Sequence, residues 1–317
     1  MVLASESPVA IALHGGAGTI ERGAMSEELE ATYRKFLDDA ITSGYKQLRE
    51  GRSGLDVVVS VIQLMEDSPL FNAGRGAVYT WEGTHELDAS IMHGENLDAG
   101  AVAGVSTVKS PIALARVVME DSPHVMLAGP GAEAFALERG FDPVSPEYFA
   151  TERRRKALEA YKTNEQGGLK PEADHKFGTV GAVVLDQAGN LVAGTSTGGM
   201  TGKRWGRIGD SPVIGAGTYA DNRSCAVSAT GHGEYFIRHT VARDICARMQ
   251  FGDATLEEAA RTVVMEELVA ADGEGGIVAV DPTGKVALVF NTPGMYRASI
   301  DADGHKMMGI YGDDEAP

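Results

Sequence analysis

The sequence predicts an α+β fold of mostly antiparallel sheets covered by helices. Two observations predict it. Strand–turn–strand units at 179–195 and 276–290 share a turn that opens on Asp and carries Gly at its fourth place: Asp186-Gln187-Ala188-Gly189 and Asp281-Pro282-Thr283-Gly284. Asp bonds turn amides and Gly takes the left-handed position, so each unit reads as a hairpin. Amphipathic helices also come in pairs, two near the N-terminus and two between the hairpins.

The elements follow in order. An apolar run at 9–13 reads as a strand and ends in the glycine loop His14-Gly15-Gly16-Ala17-Gly18. Ser26 caps a helix whose apolar residues Leu29, Tyr33, Phe36, Leu37, Ala40, Ile41, Tyr45 and Leu48 recur at helical spacing, with Gly51 just past its end. A second helix at 54–67 turns Leu55, Val58, Val59, Ile62 and Met65 inward and stops at Ser68-Pro69. A second glycine loop, Phe71-Asn72-Ala73-Gly74-Arg75-Gly76, follows. Strands at 86–92 and 99–105 flank a polar turn, and helices at 111–120 and 131–139 enclose a short strand at 124–128. Residues 142–178 are polar with weak apolar periodicity, so they read as an exposed connector between two halves. Its basic run Arg153-Arg154-Arg155-Lys156 reads as a solvated helix face. Beyond the first hairpin lie helices at 234–249 and 255–268, the second opening with the capping box Thr255-x-x-Glu258.

Composition narrows the function. The chain has 317 residues, 43% hydrophobic and 23% charged, a balance that excludes a disordered or fibrous protein. No apolar run approaches the roughly 18 residues of a membrane span. With 28 basic and 45 acidic residues the net charge is −17, so nucleic acid and anionic lipid are poor partners. Cys225 and Cys246 are too few for a disulfide scaffold and show no metal-binding spacing. Met1–Pro8 carries no basic n-region, so the expected compartment is the cytoplasm. The 40 glycines cluster in short loops, where backbone turns tightly or approaches a ligand.

The chemistry concentrates between 177 and 233. The His14 loop lacks the Gly-x-Ser-x-Gly elbow of an esterase, so it reads as a tight strand-to-helix turn. Gly178-Thr179-Val180 places a threonine at the start of a strand, after the connector. A cut between Gly178 and Thr179 gives Thr179 a free α-amine beside its own hydroxyl. Such an amine has a pKa of about 7.7–8.0, so nucleophile and base sit in one residue. Thr197, at the end of the partner strand, lies where a hydroxyl can steady Thr179. Arg207 and Asp210, three apart in a loop, suit the α-carboxylate and α-ammonium of an amino acid, or pair with each other. Thr230-Gly231-His232-Gly233 leads into a helix, and its amides with the Thr230 hydroxyl suit an oxyanion. His232 is a second candidate for a general base.

These segments together resemble the plant-type (type III) L-asparaginase / isoaspartyl aminopeptidase family of N-terminal-nucleophile hydrolases. They are HGGAGTI at 14–20, PLFNAGRGAV at 69–78, THELDASIM at 84–92, GAVAGVSTVKSPI at 100–112, GTVGAVVLD at 178–186, STGGMTGKRWGRIGDSP at 196–212, GAGTYAD at 215–221 and SATGHGE at 228–234. The resemblance spans nearly the whole chain except the connector. It implies a four-layer αββα sandwich and self-cleavage between Gly178 and Thr179. Residues 1–178 then form an α subunit and 179–317 a β subunit of one domain, and two αβ units form a dimer, a heterotetramer of chains. By the same resemblance Thr179 is the nucleophile, Thr197 orients it, and Thr230 with the Gly231 amide stabilises the oxyanion. Arg207 and Asp210, with the Gly231 and Gly233 backbone, hold the substrate's α-groups, and Asn72 shapes the site. No catalytic cofactor is implied, but a structural sodium ion is, on the carbonyls of Met65, Glu66, Ser68, Phe71, Ala73 and Arg75. The expected substrates are L-asparagine and β-aspartyl dipeptides, with everything beyond the scissile nitrogen projecting toward solvent. The alternatives are a glycosylasparaginase-like hydrolase and an unprocessed, non-enzymatic scaffold.

Overall fold

The computed structural model describes residues 7–23, 25–166 and 178–314. In chain order, strand β1 (Ala10–Gly18) leads to helices α1 (Glu27–Arg49) and α2 (Gly54–Glu66) and strands β2 (Leu87–His93) and β3 (Ala99–Val105). Then come α3 (Pro111–Asp121), β4 (Met126–Ala128), α4 (Gly129–Glu138) and α5 (Glu152–Gln166). The second half holds β5 (Val180–Leu185), β6 (Leu191–Thr197), β7 (Thr218–Ala220), β8 (Ala226–Gly231), α6 (Gly233–His239), α7 (Val241–Gly252), α8 (Leu256–Arg261) and α9 (Leu268–Ala270). It closes with β9 (Gly275–Val280), β10 (Val286–Phe290), β11 (Gly294–Ile300) and β12 (Lys306–Tyr311).

Eight strands form one sheet in the order β12-β11-β1-β5-β6-β2-β3-β4, and four form another, β10-β9-β8-β7. All pairings are antiparallel except β3 with β4. The period of two decides what each face of the large sheet does. Ile11 and Leu13 of β1, and Ala182 and Val184 of β5, join a core built with α1, α2 and α3. Ala10 and Ala12, with Val183 and Leu185, join a second core with the small sheet and with α7 and α8. The small inward alanines let the two sheets approach, and a row of hydroxyls runs between them. Ser228 Oγ lies 2.7 Å from Thr195 Oγ1, Thr195 Oγ1 is 2.7 Å from Thr218 Oγ1, and Ser90 Oγ is 2.8 Å from Thr218 Oγ1. Each hydroxyl has a partner, so the seam satisfies itself without water.

Both Asp-led hairpins are present. Asp186 Oδ1 accepts from the Ala188 and Asn190 amides, Asp281 Oδ1 from those of Thr283 and Lys285, and Gly189 and Gly284 have φ of 84° and 83°. Ser26 caps α1 through the Leu29 amide, and Thr255 and Glu258 form the capping box of α8.

Four readings change. The run at 14–18 is not a loop: β1 continues through it to Gly18, with a bulge between His14 and Ala17. The helix read at 234–249 is two helices, because Thr240 takes a left-handed φ of 47°. The part of the connector before 167 contains α5, whose Arg154 and Leu158 are buried; residues 167–177 lie outside the described residues. Cys225 and Cys246, too few for a scaffold, form one disulfide that ties the start of β8 to α7. Among the described residues no helix is long and apolar enough to cross a membrane.

Candidate active site

The site forms where the inter-sheet layer reaches the ends of β5 and β6. Antiparallel pairing sets Val180 opposite Ser196, and alternation along β6 turns Ser196 toward the helices and Thr197 toward the small sheet. Thr179, one residue before β5, is buried, and its Oγ1 lies 2.9 Å from Thr197 Oγ1. The Gly199 amide donates to Thr197 Oγ1 at 3.0 Å, which fixes that hydroxyl. One small pocket is lined by Thr179, Thr197, Gly199, Arg207, Asp210 and Gly231 among others, so six residues from four separate segments meet there. Thr230 sits behind this lining, fully buried, with Oγ1 3.4 Å from the Ala17 amide. Gly233 packs against the charged pair: a Cβ on it would lie 2.8 Å from Asp210 Oδ1 and 2.9 Å from Arg207 Nη2.

Gly178 and Thr179 are held at their carbonyls from two directions. The Asn72 amide donates to the Gly178 carbonyl at 2.8 Å. Asn72 also donates through Nδ2 to the Gly199 carbonyl and accepts through Oδ1 from the Val78 amide, while its own carbonyl accepts from Gly198. It thereby ties the second glycine loop to both sides of the Thr179–Thr197 pair. His14 Nδ1 lies 3.0 Å from the Thr179 carbonyl and Nε2 lies 2.9 Å from Ser228 Oγ. A carbonyl only accepts, so Nδ1 carries the hydrogen and Nε2 accepts from Ser228. Full burial pushes the His14 pKa down to about 3, so the ring is neutral and this tautomer persists.

Arg207 and Asp210 do not pair with each other. Arg207 Nε and Nη2 each bond a Glu234 carboxylate oxygen at 2.9 Å, a bidentate fork. Asp210 is buried, its Oδ2 has no hydrogen-bond partner, and burial pushes its pKa up to about 7 against the pull of Arg207. A buried carboxylate without a partner costs stability unless a cation reaches it. Nearby Asp88, which pairs with Thr197 across β2 and β6, is also pushed up by burial, and Lys203 Nζ lies 3.9 Å from it. His232 is the N-cap of α6 and lies 3.3 Å from Glu234, not against Thr179. Glu234, His14, Asp88 and Lys203 are the participants that sequence reasoning missed. All four lie inside segments it had singled out for other reasons, Lys203 in the same run as Arg207.

The matching family model is described as Asparaginase and spans residues 7–310. The chain belongs to the asparaginase family. Three relatives of this family member define its neighbourhood. It is 53% identical over 306 residues to the isoaspartyl peptidase of Escherichia coli (strain K12), covering 95% of each chain. It is 42% identical over 302 residues to the isoaspartyl peptidase/L-asparaginase of Xenopus laevis, covering 95% of this chain and 94% of that one. It is 41% identical over 308 residues to the enzyme of that name from Homo sapiens, covering 97% of each.

The loop expected to hold sodium folds back on itself. A Cβ on Gly74 would overlap the Glu66 carbonyl and one on Gly76 the Phe71 carbonyl, so both carbonyls turn in toward those glycines. The Met65 carbonyl accepts from Ser68 and the Ala73 carbonyl from Gly76. The Glu66 side chain is turned away, accepting from Ser110, Ile112 and Ser196, and burial pushes its pKa up to about 7.

Proposed function

We propose that this family member is an autoprocessing amidohydrolase that releases L-aspartate from L-asparagine and from β-aspartyl dipeptides. The observation that carries it is the Thr179–Thr197 hydroxyl pair in one pocket with Arg207 and a buried Asp210 whose Oδ2 has no hydrogen-bond partner. The names of the relatives support the same substrates. They also favour this reading over a glycosylasparaginase-like or non-enzymatic one.

In self-cleavage, Thr179 Oγ1 attacks the Gly178 carbonyl carbon. The oxygen already accepts from the Asn72 amide, which supports the negative charge of the tetrahedral intermediate. Expulsion of the Thr179 nitrogen, which takes the hydroxyl proton, leaves an ester. Water hydrolyses it to a Gly178 carboxylate and a free Thr179 α-amine. In turnover that amine takes the Thr179 hydroxyl proton as Oγ1 attacks the side-chain amide of the substrate. Thr230 and the Gly231 amide receive the oxyanion, and the ammonium returns its proton to the departing amine. Water then releases aspartate from the ester. Arg207 takes the α-carboxylate and Asp210 the α-ammonium, with the Gly233 backbone close against both. His14 stays neutral at neutral pH and uses its Nδ1 hydrogen to hold the Thr179 carbonyl instead.

The four-layer αββα arrangement is part of this reading, supported by the two stacked sheets and their separate helix-facing cores. Backbone carbonyls of Met65, Glu66, Ser68, Phe71, Ala73 and Arg75 form an uncharged, hard-oxygen set suited to a sodium ion, which would stiffen the loop that carries Asn72. A dimer of αβ units is supported by the exposed Val125, Met126 and Leu137 beside edge strand β4. We propose the cytoplasm as the compartment; the Cys225–Cys246 bond is the observation that pulls the other way.

Asparagine, glutamine, β-Asp-Leu and α-Asp-Leu, assayed together, test the pocket. Arg207 and Asp210 fix one end and Thr179 the other, so glutamine's extra methylene displaces its carbonyl by about 1 Å, worth about 100-fold. Glutamine turnover within tenfold of asparagine, or cleavage of α-Asp-Leu, contradicts the reading.

A further inference from the structure

The hydroxyl row between the two sheets starts and ends at residues of the candidate pocket. We propose that this row is the ruler behind the chain-length selectivity, with Ser90, Thr218, Thr195, Ser228 and His14 as positioning residues that set the nucleophile against the groups holding the substrate. This rests on the reading that Thr179 attacks a substrate anchored at Arg207 and Asp210.

Direction is the first argument. His14 spends its one ring hydrogen on the Thr179 carbonyl, so its Nε2 accepts and Ser228 donates to it at 2.9 Å. A hydroxyl has a single hydrogen to give. Ser228 Oγ therefore receives that of Thr195 at 2.7 Å, which the Gly217 carbonyl shares at 3.1 Å. Thr195 Oγ1 in turn receives that of Thr218 at 2.7 Å. The Ser90 hydrogen remains, between Thr218 Oγ1 at 2.8 Å and the Ser211 carbonyl at 2.6 Å. From Ser90 to Thr179 the bonds run one way, and bonds in series strengthen one another. All five side chains are fully buried, so water does not compete for them.

Position is the second. Thr179 and Ser211, the two ends of the row, both line the pocket, and Ser211 follows Asp210 directly. Ser90, Thr195 and His14 belong to the large sheet and Thr218 and Ser228 to the small one, so the row crosses between the sheets four times. Among the described residues no ladder joins the two sheets. The reacting groups are divided between them all the same. Thr179 adjoins β5 and Thr197 ends β6, whereas Thr230 and Gly231 end β8. The alanines that share this layer make apolar contacts, which have no direction and set a distance only loosely. Gly181 of β5 leaves the row its space, because a Cβ there would overlap Ser228 Oγ and His14 Nε2. Glutamine's carbonyl falls about 1 Å from the productive place, and that error is costly only where nucleophile and anchor are held to a tighter tolerance. Directional bonds at both ends supply that tolerance.

The test compares asparagine with glutamine on purified, processed wild-type enzyme, Thr218→Val and Thr218→Ser. Valine keeps the shape and removes the hydroxyl; serine keeps the hydroxyl. In Thr218→Val the asparagine-to-glutamine ratio of kcat/KM is expected to fall about threefold or more, with the loss on asparagine in kcat rather than KM, because the α-groups are still gripped. In Thr218→Ser the ratio should return to within about twofold of wild type. A hydroxyl that only stabilises the fold lowers the Tm and leaves the ratio alone. A ratio that falls less than about threefold in processed Thr218→Val overturns the proposal, as does a Thr218→Ser enzyme as relaxed as the valine variant. If Thr218→Val does not fold or process, Ser90→Ala, a smaller excision at the Ser211 end, is read by the same ratio. Wild-type turnover of glutamine within tenfold of asparagine, or none of asparagine, defeats the underlying reading; a discriminating wild type with an unmoved variant ratio defeats the ruler alone.

Discussion

On the Gly178 side of Thr179, each polar group of Asn72 has a partner: its amide, its carbonyl and both ends of its side chain. On the Arg207 side, Asp210 is equally buried but keeps one oxygen unpartnered, and its pKa is pushed up to about 7. The first region has what it needs to hold its own backbone for a single intramolecular cut. The second carries an electrostatic deficit that the ammonium of the proposed substrate would relieve. Buried polar groups are normally satisfied, so the unsatisfied side is the one built for a ligand.

The largest effect that sharpens this contrast comes from Arg207→Ala. Removing one partner of a desolvated charge pair costs about 3–5 kcal/mol, so kcat/KM on asparagine should fall about 10²–10⁴-fold while the two-band pattern on a denaturing gel is retained. A loss below fivefold, or loss of cleavage, breaks the division between the two sides.

Next in size is a pH effect. Asp210 must be ionised to receive the ammonium, and burial has raised its pKa to about 7. Protonation below that value removes the charge, so Asp210 should contribute a fall in kcat/KM of about tenfold per pH unit below about 7, separate from the fall that protonation of the Thr179 amine brings. The fall should appear in KM, because a bound ammonium holds Asp210 ionised. A KM flat from pH 5 to 8 contradicts this.

On the satisfied side, Asn72→Ala keeps the backbone donor to Gly178 but strands the Gly199 carbonyl and the Val78 amide. Each stranded buried group costs about 1–3 kcal/mol. Denaturant midpoints should drop accordingly, and cleavage in a time course should slow. Wild-type stability in this variant removes Asn72 from the scaffold.

The smallest expected effect on activity is from Cys246→Ser. The bond spans 21 residues, and releasing it should cost about 3 kcal/mol of stability on the chain-entropy account. Asparagine turnover should change less than twofold, since the bond ties α7 to β8 away from the pocket. An unchanged Tm would show that the bond does not form in the purified protein.

Most elements and the pocket residues were legible because their signals are local. Ser26, the Asp-led turns and the Thr255 capping box act within a few residues. Thr179, Thr197, Arg207 and Asp210 sit in glycine-rich runs within about thirty residues of one another. What was missed is held by distant partners. His14 reaches Thr179 across 165 positions and Ser228 across 214, so its run could not be read as a strand in the middle of a sheet. The basic run of α5 read only as a solvated helix face, because its apolar periodicity is weak and its anchoring arginines reach Tyr33, Leu70 and Gly76, 78 to 120 residues away. Glu234 looked like an ordinary acidic residue in the first turn of a helix, and only the fold brings Arg207 to it.

The central claim is that Thr179 becomes an N-terminal nucleophile by cutting its own chain. Intact mass and N-terminal sequencing of the purified wild-type protein and of Thr179→Ala test it most directly. The wild type should give two chains, residues 1–178 and 179–317, the second beginning Thr179-Val180-Gly181, while Thr179→Ala stays whole and inactive. A wild-type chain that hydrolyses asparagine while remaining a single polypeptide would contradict the account.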